Sequence, residues 1–269
     1  METVNRKPFV AGQFYPENLD SLSKMLKGYC IKDVQKNILG ALVPHAGYIY
    51  SGEVAGKVYS LLKPKKYYII LGPNHSGYGP RFSLFPEGSW ITPLGSVKIS
   101  SSLIKKIITI GKNIEIDTSA HMHEHSIEVQ LPFLQYTQNN FEIVALSLSD
   151  ATLGQYQKLA EDLFTATKDN TENIAIIASS DMSHYVPHEV ASEKDKKIID
   201  SIVAIDPEDT YRNVSKYNVS MCGYGPCVVM LFFAKLAGAK KGELISYQTS
   251  AKTSRDYSSV VGYAGIAIS

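Results

Sequence analysis

Three short polar runs gather side chains able to bind a metal or move a proton. They are Pro44-His45-Ala46-Gly47-Tyr48, Gly72-Pro73-Asn74-His75-Ser76-Gly77 and Ser179-Ser180-Asp181-Met182-Ser183-His184. Imidazole is the commonest metal ligand and the usual acid or base near neutral pH. His45 and His75 each stand beside glycine and proline; glycine lets the backbone turn sharply and proline stiffens it. Such loops hold an imidazole firmly. Either histidine alone is as readily a donor to a nearby carbonyl, and two in parallel contexts weaken that plain reading. Asp181 and His184 stand three apart, where a carboxylate could fix the imidazole's tautomer and raise its basicity. The competing reading makes Asp181 the cap of a helix that carries His184.

Two further groups join the candidates. Met221-Cys222-Gly223-Tyr224-Gly225-Pro226 precedes an apolar helix, and Pro226 suits its first turn. Cys222 just ahead of that helix would feel a dipole that favours thiolate, the metal-binding form; equally, free cysteine is often a small core residue. His121-Met122-His123-Glu124-His125-Ser126-Ile127-Glu128 holds three of the seven histidines. A helix from Glu124 would put His125 and Glu128 on one face at i, i+3, a spacing used by metal-binding helices, with His121 and His123 facing water. The serines near His184 do not make a hydrolase triad, since no G-x-S-x-G elbow exists in the chain. Phosphate-loop and dinucleotide fingerprints are absent as well.

What must position these groups is legible in the apolar pattern. Leu39–Val43, Tyr67–Leu71, Glu142–Leu148 and Asn173–Ala178 are short apolar runs of the kind buried on both faces of a parallel sheet. Val260–Ile268 is a fifth, at or near a sheet edge. Helical spacing of apolar residues covers Leu19–Tyr29, Val54–Leu62, Leu103–Ile110, Glu124–Gln135, Leu153–Thr167, Ala191–Ile205 and Val228–Ala237. Thr152 is placed to cap the fifth of these helices, and Gly238 to stop the last. The segment Gly79–Gly95, with three prolines, reads as a hairpin or a long loop. Alternation of strand and helix predicts an α/β fold: one domain, 1–269, a three-layer sandwich whose mostly parallel or mixed sheet carries helices on both faces. In such sheets ligands bind beyond the carboxyl ends of the strands, so the polar loops should meet at one edge.

Composition removes other classes. The chain has 269 residues, with 27 basic against 26 acidic, a net charge of +1. That balance gives no electrostatic case for nucleic acid or an anionic membrane as partner. No apolar run approaches the roughly 18 residues of a membrane span, and the polar amino terminus does not read as a signal peptide. Cys30, Cys222 and Cys227 form neither a disulfide framework nor a paired-cysteine zinc motif. A reducing cytoplasm is the expected location.

Six runs, in order and over nearly the whole chain, resemble the Memo-like family: Ala11-Gly12-Gln13-Phe14-Tyr15-Pro16, Pro44 to Gly52, Leu71 to His75, Glu124 to Pro132, Ser179 to His184, and Met221-Cys222-Gly223. The resemblance implies the fold of the class III extradiol ring-cleaving dioxygenases, non-haem iron enzymes with two histidines and a glutamate as ligands. It puts the two histidines at His45 and His75, with Cys222 in place of the carboxylate. His184 falls where those enzymes keep a catalytic histidine, with Asp181 nearby and His125 lining the cleft. In prokaryotes the family is associated with the Ammecr-Memo-radical-SAM gene set, which implies a functional link to Ammecr-like and radical-SAM proteins.

Three readings follow from that resemblance. The first is a mononuclear redox enzyme holding Fe(II), or copper, on His45, His75 and Cys222, with His184 as acid/base oriented by Asp181. Tyr48, Tyr50, Asn74 and Glu128 are its expected substrate contacts. The second keeps the ligands but binds zinc for hydrolysis, since thiolate is softer than carboxylate. The third is a binding module in which the cleft takes a peptide, small ligand or partner protein without turnover.

Overall fold

The computed structural model describes residues 3–31 and 34–269. Among them the strands are β1 (Val4–Arg6), β2 (Gly40–Val43), β3 (Tyr67–Pro73), β4 (Phe82–Leu84), β5 (Gly88–Thr92), β6 (Gly95–Ile99), β7 (Glu115–Ile116), β8 (Glu142–Leu148), β9 (Ile174–Ser179), β10 (His184–Val186), β11 (Gly242–Thr249) and β12 (Val260–Ile268). The helices are α1 (Leu19–Tyr29), α2 (Tyr48–Leu61), α3 (Ser101–Ile110), α4 (Ser119–Met122), α5 (Leu131–Thr137), α6 (Leu153–Thr167), α7 (His188–Val203), α8 (Pro207–Lys216), α9 (Tyr224–Leu236) and α10 (Ala251–Ser254).

All the strands join one mixed sheet, in the order β1-β5-β6-β8-β3-β9-β2-β12-β10, with β11 added on β12, β4 on β8 and β7 on β4. At its centre β8, β3, β9 and β2 run parallel. Their residues Tyr68 to Leu71, Ile143 to Leu146 and Ile174 to Ala178 are fully buried, because α1, α2 and α5 cover one face while α3, α6, α8 and α9 cover the other. Burial on both faces explains why these strands read as continuous apolar runs rather than alternating ones. β12 is antiparallel to β2 and lies one strand inside the edge, which β11 forms.

Most elements fall where the pattern places them. Thr152 caps α6 in a capping box with Gln155, and Gly238, at φ +89°, follows the end of α9. The segment after Gly79 holds β4 and the β5–β6 hairpin. Several places differ. α2 starts at Tyr48, six residues ahead of the predicted Val54, so the His45 loop runs directly into a helix. The helix predicted over Glu124–Gln135 forms only from Leu131, as α5; ahead of it stands a short 3-10 turn, Glu128–Gln130. Glu124 accounts for this: its buried carboxylate accepts Ser126 Oγ and the N–H groups of Ile127 and Glu128, which closes a tight local turn. β1, β7, β10, β11, α4, α8 and α10 have no counterpart in the apolar pattern.

That connection is anchored by a buried charge. Arg6 is fully enclosed; its guanidinium donates to Glu128 at 2.6 Å and to the carbonyls of His121 and Glu124, and lies 4.1 Å from the Trp90 ring centre. Glu128 also accepts Phe9 N–H, Val10 N–H and the Tyr15 hydroxyl. Four donors on one carboxylate bind the amino-terminal segment across the sheet edge and place Phe14 there. His121, expected to face water, is buried in the same knot, with Nε2 3.0 Å from the Ser83 carbonyl; His123 is exposed.

Removing one partner of a buried pair strands the other, so Glu128→Ala should cost about 3–5 kcal/mol in urea unfolding. His121 gives a pH signature. Burial pushes its pKa down to about 4, with the Arg6 charge adding to the effect against the Ser83 bond. The unfolded chain, with His near 6.5, binds the proton first, so stability from this group is full above 6.5 and drains as pH falls toward 4. Unfolding measured at pH 7 and pH 4.5 should show a loss about 2.4 kcal/mol smaller in His121→Phe than in the wild-type protein.

Candidate metal centre

β2, β9 and β3 are adjacent, parallel and in register, with Val43 opposite Ser179 and Leu71 opposite Ala178. The loops that leave them therefore emerge side by side. They bring His45, Asp181 and His75 together, and the connection after α4 adds His125. One nitrogen of each of His45, His75 and His125 lies within 4.8 Å of the others. The His75 and His125 rings stack at 4.7 Å, and His45 meets both edge-on. Cys222 joins this group through His45, with Sγ 3.2 Å from Nε2.

The hydrogen bonds behind His45 fix its tautomer. Ser179 Oγ has one proton, and it points to the Ser126 carbonyl at 2.6 Å, which can only accept. The same oxygen accepts from Gln130 Nε2 at 2.9 Å. Its remaining contact, His45 Nδ1 at 2.9 Å, must therefore be an Nδ1–H donating to it. Nε2 then carries a lone pair, and it faces Cys222. Gln130 is held in turn by the Tyr59 hydroxyl and the Pro44 carbonyl. His184 is oriented in a similar way: Nδ1 lies 2.8 Å from the Ser220 carbonyl, so Nδ1 carries a proton and Nε2 is the nitrogen left for other partners.

The charges suit a cation. Burial, then the neighbouring histidines, pushes the pKa of His45 far down; burial lowers His75, and burial with His75 brings His125 to about 4. All three are neutral ligands at pH 7. Cys222 departs from expectation: burial, then the Asp181 charge, pushes its thiol up to about 12. Desolvation outweighs the end of α9, so without a cation the thiol keeps its proton and shares it with His45 Nε2. A metal ion would release that proton outright. An imidazole nitrogen and a thiolate sulfur on one tetrahedral ion are separated by roughly 3.5 Å, close to the spacing found here. The donor set fits a metal.

Other predicted residues stand elsewhere. Asp181 does not reach His184 in a hydrogen bond and caps no helix; its carboxylate, raised to about 7 by burial, accepts the His45 N–H at 2.8 Å. It holds the backbone of the His45 loop. His125 and Glu128 share no helix face, because the segment between them is a tight turn, and Glu128 is spent on Arg6. Tyr48 is buried with its hydroxyl on the Val129 carbonyl, so it does not line the cleft. Tyr50 is half-buried on α2 and outside the cleft lining. Asn74 spends its amide on Ser149 Oγ and on its own loop, at Ser76, Gly77 and Tyr78.

Two openings meet at His75. A cleft of about 240 Å³ is lined by Phe14, His45, His125, His184, Tyr185 and Tyr263 among others. A wider groove of about 770 Å³ runs past Asn74, Arg81, Asp150, Ser220 and Cys222. Sequence reasoning missed Ser179, Gln130 and Ser220, whose roles depend on partners far along the chain. It also missed Phe14, although its run was singled out.

Fold and site together describe an α/β domain with an imidazole-rich centre at the carboxyl edge of its parallel strands. The family model described as "Memo-like protein" matches residues 6–267. The chain is 41% identical to a MEMO1 family protein of Archaeoglobus fulgidus, over 97% of this chain and 98% of that one. It is equally identical to one of Methanosarcina barkeri, over 98% and 99%. The chain belongs to the Memo-like family. An uncharacterized protein of Escherichia coli K12 shares the fold, with a TM-score of 0.57 over 85% of this chain and 99% of that one at 13% identity.

Because Ser179 sets the His45 tautomer, Ser179→Ala should weaken metal binding about 10- to 100-fold while all candidate ligands remain. Competition against a chromophoric chelator measures it. Unchanged affinity would remove Ser179 from the centre.

Proposed function

We propose that this protein is a mononuclear metal-dependent redox enzyme in which His45, His75 and Cys222 hold iron or copper and His184 is the general acid/base. The observation that carries this is the lone pair on His45 Nε2, enforced by Ser179 and directed at Cys222 beside two further neutral imidazoles. Bound there, the metal would supply one-electron chemistry next to the cleft. His184 would take a substrate proton at Nε2, since Nδ1–H is committed to Ser220. His125, stacked on His75 and packed against Phe14 at 4.9 Å, would wall the cleft and keep water from its floor.

The thiolate donor also supports a second reading, a zinc hydrolase with the same ligands, because sulfur favours softer or borderline ions over the carboxylate-preferring ones.

Mass-spectrometric metal analysis of protein purified without oxygen tests the assignment. We expect about one iron or copper per chain in the wild-type protein, lost in His75→Ala and Cys222→Ala and kept in His125→Ala. Zinc with the same pattern would favour hydrolysis. Metal lost in His125→Ala but kept in Cys222→Ala would replace the ligand set with three histidines. Protein that is folded and metal-free throughout would leave a ligand-binding cleft without turnover.

A further inference from the structure

One fully buried carboxylate, Asp195 on α7, belongs to neither the Arg6 knot nor the metal ligands. Its Oδ1 accepts the Ser183 N–H at 3.0 Å and its Oδ2 accepts the Tyr247 hydroxyl, from β11, at 2.8 Å. Ser183 immediately precedes His184. The same short segment is pinned to β12 by a reciprocal pair, Met182 N–H to the Gly262 carbonyl and Gly262 N–H to the Ser183 carbonyl. Gly262 is there because nothing larger fits: a Cβ at that position would lie 2.0 Å from Asp195 Oδ2. On its other side His184 is held by Ser220, whose hydroxyl accepts its N–H and whose carbonyl accepts its Nδ1–H. The next residue, Tyr185, is 78% exposed yet sits at φ +57°. A non-glycine residue keeps such a conformation only where its surroundings over-determine it.

We propose that Asp195 is a positioning residue for His184, clamping the backbone of Ser183 so that the imidazole stands at the mouth of the cleft with Nε2 free. The assignment rests on the reading of His184 as the acid/base, but the clamp is measurable without any turnover. In the clamp, α7 and β11 act on the site through one carboxylate, and the strain at Tyr185 lies between His184 and Val186, both of which pair with β12.

Amide hydrogen exchange and ¹⁵N-histidine NMR on the full-length protein test the clamp, with His184→Gln identifying the His184 signals. Asp195→Ala should speed exchange at Ser183 to Val186 about tenfold or more relative to amides of β9, and shift the His184 Nδ1 resonance away from its fixed protonated form. Asp195→Asn keeps an oxygen for the Ser183 N–H and should restore protection. If the alanine variant does not fold, Tyr247→Phe, which removes one of the two donors at full volume, should give a smaller rise confined to the same residues. Wild-type exchange and an unmoved His184 signal in a folded variant would overturn the proposal. So would an increase shared equally by every strand, which marks Asp195 as a contributor to global stability only. Confirmation of the clamp alongside a metal-free protein would sink the catalytic reading of His184 while leaving the positioning intact.

Discussion

Parallel strands in register end at the same level, and everything at this site follows from that constraint. Val43 opposite Ser179 and Ala178 opposite Leu71 leave the three loops no choice but to emerge as neighbours. The register is secured by burial on both faces: slipping one strand by a residue would exchange the side chains packed under α2 for those packed under α9. The separation of His45 from His75 is thus inherited from hydrophobic packing well below the site. Loop residues then add only the final orientation.

That orientation is supplied by buried acids and hydroxyls rather than by the imidazoles themselves. Glu124, Glu128, Asp181 and Asp195 are each enclosed, and each accepts backbone N–H groups. A buried carboxylate is costly unless several donors satisfy it, and backbone amides are donors that cannot rotate away. The division of labour is consistent: acids hold loops, while His45, His75, His125, His184 and Cys222 line the openings.

Much of the architecture was open to a reader of the sequence. The central strands and α1 and α6 lie within a residue or two of their predicted bounds, because fully buried runs and capped amphipathic helices carry strong local signals. His45, His75, Cys222 and His184 were recognisable from their strand-end or helix-start context, and the structure places all four around one region. The partners of these groups were not legible. Asp181 beside His184 in sequence suggested a pair, but the backbone turns Asp181 toward His45. Glu128 at i+3 from His125 suggested a shared face, and a local turn built by Glu124 removed the helix that face required. α8 has a strong cap, Asp206 followed by Pro207, but the helix it opens is largely polar and lacks the apolar spacing that marks the others. Long-range hydrogen bonds such as Gln130 to Ser179 leave no trace in spacing.

His75 stands where the narrow cleft and the wide groove meet, with one side of the centre exposed to each. A molecule seated among Phe14, His125 and Tyr263 does not occupy the space beside Asn74 and Cys222, and the reverse holds as well. No single small occupant can therefore seal this centre from water. Anything that needs a dry site must come as two bodies, or as one large enough to straddle the imidazole.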